Sequence, residues 1–122
     1  MPRVMYFNMP ADDMARARKF YSEVFGWTFE RWDGPMEYYL IKTGEDGQFG
    51  INGGLAKRGD LNPSTVNLID VPSLDEFAKK IERGGGTVIR GMHIEGVGQF
   101  AHCTDSEGNR FDIIQPDKKS GP

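Results

Sequence analysis

The sequence predicts an α+β fold in which one strand–helix–three-strand unit is used twice. Three observations carry this. Two segments have helical period, and short apolar segments broken by glycine fill the rest. The order of elements in the first half recurs in the second. The halves also align at a constant spacing of sixty residues, with Asp13 matching Ser73 and Gly26 matching Gly86.

The elements follow in chain order. A strand over residues 3–9 precedes the first helix, 12–25, whose apolar face is Met14, Ala17, Tyr21, Val24 and Phe25. Asp12 or Asp13 caps its start and Gly26 ends it. Strands over 27–31, 37–42 and 50–55 come next. A strand over 65–70 leads to the second helix, 73–83, with the stripe Leu74, Phe77, Ala78 and Ile81. Ser73 with Glu76 makes a capping-box pattern, and Gly84-Gly85-Gly86 stops the helix. Strands over 87–91, 99–104 and 110–115 complete the repeat. The register also relates Met14 to Leu74, Phe29 to Ile89, Leu40 to Phe100 and Ile51 to Phe111.

The 122 residues suit a single domain of two modules, about 1–56 and 64–116. Residues 57–63 are polar, hold Gly59 and Pro63, and read as the linker; 117–122 read as a frayed polar tail. Fifteen Lys and Arg against eighteen Asp and Glu leave a net charge of −3, so no basic stripe serves nucleic acid. No apolar run is long enough to span a bilayer, and the first ten residues lack a signal-peptide pattern. The lone Cys103 has no disulfide partner in the chain, which fits a reducing, cytoplasmic setting.

Three segments carry a family resemblance. They are Phe20-Tyr21-Ser22-Glu23-Val24-Phe25-Gly26-Trp27, Ile81-Glu82-Arg83-Gly84-Gly85-Gly86-Thr87-Val88, and the turn Asp105-Ser106-Glu107-Gly108-Asn109. With these the chain resembles the vicinal oxygen chelate superfamily, which includes glyoxalase I, bleomycin-resistance proteins and extradiol dioxygenases. The resemblance is to its small glyoxalase-like members. It implies two βαβββ modules, with curled mixed sheets around a cup, helices outside, and a homodimer.

In metal-dependent members of that superfamily four ligands line the cup. Carried over, those positions are Tyr6, Asn52, Val66 and Asp112. Only Asp112 is a strong donor; Val66 has none, Asn52 offers a neutral carbonyl, and Tyr6 coordinates poorly unless ionised. No metal or other cofactor is therefore expected, although this reading does not exclude a divalent metal held by displaced ligands.

The last hairpin gives a register argument. A turn centred on Glu107 sets Thr104 opposite Arg110, Cys103 opposite Phe111 and His102 opposite Asp112. A carboxylate beside an imidazole is useful for acid–base work, so His102 and Asp112 are the candidate catalytic pair. Strand alternation adds Tyr6, Asn8, Asn52, Val66, Leu68, Phe100 and Ile114 as candidate ligand-binding residues. Trp27, Phe29, Trp32, Tyr38 and Tyr39 supply aromatic surface that either stacks a planar ligand or packs the core. Met36 and Met92 are candidate pocket edges. Cys103 alternates away from His102 and reads as a buried apolar residue. Arg16, Arg18 and Lys19 read as a solvated helix face. The leading expectation is a metal-free domain binding a small, partly apolar or aromatic molecule. The alternative is a glyoxalase-type enzyme (lyase, isomerase or dioxygenase), either metal-dependent or acting through His102 and Asp112.

Overall fold

The computed structural model describes residues 2–117, in the order β1 (Arg3–Ala11), α1 (Met14–Phe25), β2 (Thr28–Arg31), β3 (Tyr38–Lys42), β4 (Gly53–Lys57), β5 (Val66–Asp70), α2 (Leu74–Arg83), β6 (Thr87–Ile94), β7 (Gly98–Thr104) and β8 (Arg110–Pro116). This is the predicted α+β fold, a βαβββ unit used twice. The chain forms two compact units: Tyr6–Val66, and the remaining described residues.

In the first unit the strand order is β2-β3-β4-β1, with β1 parallel to β4 and the other pairs antiparallel. Asp13 is the N-cap of α1, its carboxylate accepting from the Arg16 N–H at 2.9 Å. Gly26 closes the helix in the left-handed region (φ 76°), where a side chain would be strained, and its N–H donates to the Ser22 carbonyl. The helix lays Met14, Ala17 and Tyr21 over Met9, Ala11, Ile41 and Leu55 of the sheet. Complete burial of Leu55 stabilises by roughly 2–3 kcal/mol.

The second unit repeats the pattern as β5-β8-β7-β6, with β5 parallel to β8. Ser73 caps α2 by accepting from the Glu76 N–H, sixty residues on from the Asp13 cap. Gln115 reaches in from β8 to accept the Leu74 N–H at 2.8 Å, satisfying another donor the helix start leaves open. The core is Val71, Leu74, Ala101, Cys103 and Ile113. The antiparallel register repeats across the duplication: Leu40 faces Gly54, and Phe100 faces Ile114. The parallel register does not, because Asn8 faces Gly54 while Leu68 faces Asp112.

Three expectations need correction. The strand placed at 50–55 begins at Gly53 instead, because Gly50 turns the chain (φ 132°) and the Asn52 side chain closes a loop. Within residues 57–63, Lys57 ends β4, Gly59 bridges Asn62, and Arg58 pairs with Asp12 at 3.0 Å. Asp117, expected to fray, accepts from His93 Nε2 and the Gly96 N–H, both at 2.7 Å; the rest of the expected tail, 118–122, lies outside the described residues. Arg18 is not on a solvated face. Its guanidinium lies 4.2 Å from the centroid of the Tyr39 ring, and its Nε is buried without a partner.

Candidate functional site

Strand alternation gives each sheet two faces, and in each unit the helix covers one of them. The other face carries the chemistry.

In the second unit the turn decides what meets what. Asp105 accepts from the Glu107 and Asn109 N–H groups at 2.8 and 2.9 Å, and from Asn109 Nδ2 at 3.1 Å. Those bonds, the Asn109 N–H first and the Glu107 N–H second, hold its carboxyl below the usual range. Gly108 supplies the positive φ (83°). The turn so fixed sets Thr104 opposite Arg110, Cys103 opposite Phe111, and His102 opposite Asp112, the predicted register. His102 Nδ1–H donates to Asp112 Oδ1 at 3.0 Å, since a carboxylate has no proton to give. The neutral ring then carries its lone pair on Nε2, which has no partner among the described residues and is not sealed from solvent. The side chains are 23% and 10% exposed, so this pair is partly desolvated.

Leu68 lies beside Asp112 on β5, and Ile89 lies beside His102 on β6, which makes a row Leu68–Asp112–His102–Ile89. Phe100 and Ile114 face each other one step along. Ile89 is exposed, and in the sequence its only mark is the repeat match to Phe29. Cys103 points to the helix side. Burial first, and then the Asp112 charge, push its thiol up to about 11, which disqualifies it as a nucleophile.

In the first unit Tyr6 and Asn8 share the face away from α1, by alternation with the core residues Phe7 and Met9. Tyr38 on β3 reaches over Gly54 to donate to Asn8 Oδ1 at 2.5 Å. Gly54 permits this, because a Cβ there would overlap the Tyr38 hydroxyl. Trp32 stacks edge-on to Tyr38, centroids 5.9 Å apart, with its indole against the bare backbone of Gly34. The other aromatics belong to the core: Trp27 stacks on Tyr21 at 4.9 Å, and Phe29 and Tyr39 pack with them. The five aromatics thus divide by face, two away from the helix and three beneath it.

Val66, buried at the start of β5, shares the face of Leu68 by alternation. Asn52 is exposed ahead of β4, where its Oδ1 accepts from the Thr43 N–H at 3.0 Å and the Thr43 hydroxyl at 3.3 Å. It closes the neck of the β3–β4 loop. That loop surrounds a hollow of about 570 Å³, but every lining residue except Thr43 is exposed, unlike the enclosed pockets that hold small molecules. Met36 and Met92 are exposed. Neither Gly54 nor Thr43 had a signal in the sequence, since both act through partners that only the folded sheet supplies.

The family-implied metal does not fit these residues. Val66 has no donor atom, the Asn52 oxygen is engaged by Thr43, and Asp112 already accepts from His102. Among the described residues no group of three or more His, Cys, Asp or Glu side chains could hold an ion.

Two βαβββ units, each with its helix on one face of its strands, make a glyoxalase/bleomycin-resistance-like fold. Residues 3–44 match the family described as bleomycin resistance protein-like N-terminal. No curated protein sequence matches the chain. Among solved structures, a methylmalonyl-CoA epimerase from Mycobacterium tuberculosis is similar over 94% of this chain and 88% of its own, with TM-score 0.66 and 12% identity. A Streptomyces coelicolor methylmalonyl-CoA epimerase in complex with 2-nitronate-propionyl-CoA is similar over 98% of each chain, with TM-score 0.67 and 15% identity. A hypothetical protein from Bacillus halodurans is similar over 99% of each chain, with TM-score 0.71 and 11% identity. The family match covers the first helix and the strands around it, and across nearly the whole chain these solved structures share the fold.

Proposed function

We propose that this protein binds a small, partly apolar or aromatic molecule without a metal, on the sheet faces turned away from the helices. One observation carries the reading. Each of these faces holds a hydrogen-bonded polar pair, Asn8–Tyr38 or His102–Asp112, beside apolar or aromatic side chains. Few, well-placed polar groups among apolar ones are what small-molecule sites use to orient a ligand. Among the described residues no helix is long and apolar enough to cross a membrane. We read the buried thiol of Cys103 as fitting a reducing, cytoplasmic setting. We read the assembly as a homodimer, on the two-fold habit of small domains and the exposed Phe20, Val24 and Phe25 of α1.

The 3.0 Å contact of His102 with Asp112 favours a second reading, an acid–base enzyme of the glyoxalase type. The carboxylate would fix the imidazole tautomer and stabilise the imidazolium formed when Nε2 takes a proton. Elemental analysis after incubation with Zn²⁺, Ni²⁺, Mn²⁺ and Fe²⁺ and desalting tests the metal-free reading. Substoichiometric retention supports it. Stoichiometric retention that Asp112→Ala abolishes overturns it. Titration with small aromatic compounds, followed by amide NMR, tests the binding itself; shifts are expected around Asn8, Tyr38, Phe100 and His102.

A further inference from the structure

We infer that Asn8 is a specificity residue whose amide NH2 selects a planar ligand carrying a carbonyl or carboxylate oxygen beside its ring. This rests on the proposed small-molecule binding and names the class of molecule bound.

An asparagine side chain offers an acceptor at one end and two donors at the other, and it can flip. Here the structure sets one orientation. The Tyr38 hydroxyl donates to Asn8 Oδ1 at 2.5 Å, which orients the oxygen toward Tyr38 and the nitrogen away from it. Nδ2 then has no hydrogen-bond partner among the described residues. Nor is it sealed off, since Arg18 Nε is the one buried unpartnered side-chain polar atom among them. The result is a fixed, reachable pair of N–H donors with no internal acceptor.

The surroundings specify the rest. Tyr38 itself stands edge-on to Trp32, so the residue that orients the amide also forms half of an aromatic pair. Arg31 fixes the chain beside Trp32, donating from Nη1 to the carbonyls of Trp32 and Met36 at 2.7 and 3.1 Å. The Trp32 N–H donates to the Tyr38 carbonyl at 2.8 Å. Gly34 and Gly54 are the clearances that let the two rings lie where they do. A planar ring fits against such a pair, and an oxygen at its edge satisfies the amide. A ligand with only a donor there would, on covering the amide, leave both sides unpaired, and that is how a polar group in a site rejects the wrong molecule.

Acetophenone, ethylbenzene and 1-phenylethylamine test this, because they share a shape and present an acceptor, nothing, and a cationic donor. Dissociation constants come from amide NMR titration, with the Trp32 indole and Asn8 side-chain resonances as local reporters. The wild type is expected to prefer acetophenone over ethylbenzene by roughly three- to tenfold, the range of one net hydrogen bond. Asn8→Asp is nearly isosteric and replaces donors by acceptors; it is expected to lose that preference and to favour 1-phenylethylamine. Tyr38→Phe frees the amide to flip and is expected to narrow the preference without reversing it. Wild-type-like amide spectra of both unliganded variants establish that they fold. If acetophenone and ethylbenzene bind the wild type equally, or if Asn8→Asp keeps the preference, the inference fails while small-molecule binding stands. If none of the three probes binds, both fall.

Discussion

Gly54→Ala is the sharpest test of how the first unit is built. An alanine ordinarily strengthens a strand relative to glycine, by roughly 0.5–1 kcal/mol. Here the sign should reverse. The added Cβ would overlap the Tyr38 hydroxyl and crowd Asn8 Oδ1 at 2.8 Å, with Gly54 itself buried. Tyr38 must swing away, giving up its bond to Asn8 and its edge contact with Trp32. Overpacking costs about 1–3 kcal/mol and the lost hydrogen bond about 1, so after the strand gain the net destabilisation is about 2 kcal/mol. For a chain of this size that lowers Tm by roughly 8 °C. Calorimetry or thermal circular dichroism of Gly54→Ala, Tyr38→Ala and the double variant makes a double-mutant cycle. The alanine should be nearly neutral, or stabilising, once Tyr38 is removed, giving a coupling of at least about 1 kcal/mol. A Gly54→Ala protein as stable as wild type, with additive effects in the cycle, would refute the placement of Tyr38 across Gly54.

Two further predictions follow from the second unit. Cys103 is 1% exposed and its thiol is pushed up to about 11, so iodoacetamide at mildly alkaline pH should leave the native protein unlabelled and modify it only in denaturant; labelling of the native state would show the core to be open. The turn should loosen in acid: the Asp105 carboxyl is lowered on folding, so its stabilisation is full above the unfolded value of about 3.9 and is lost as pH falls through the lower folded value. The Glu107 and Asn109 amide resonances should report that titration together, and a shared midpoint above the ordinary aspartate value would contradict the reading.

Much of the fold was legible because it rests on local rules. Asp13 and Ser73 read as caps because a short oxygen-bearing side chain satisfies helix N–H groups wherever a helix starts. Gly26 read as a stop because the left-handed conformation favours glycine. The pairing of His102 with Asp112 was legible for the same reason: a five-residue turn counts the register of the strands on either side of it. In each case the interacting groups lie within about ten residues of each other.

What the sequence left open depends on strands brought together from far apart. Asn8 and Tyr38 are separated by thirty residues and meet only because β1 and β3 flank the same β4. Nothing local tells whether Tyr38 lies over a glycine or beside a larger side chain, so neither the clearance at Gly54 nor the orientation of the Asn8 amide could be read. Asn52 shows the converse, a family ligand position whose side chain the fold assigns to Thr43 of its own loop. The sequence by itself determined the duplicated fold, the helix ends and the hairpin register, since these follow from backbone geometry near each residue. Tertiary structure alone decided which polar atoms are left unpaired, because that depends on every neighbour the folded sheet supplies.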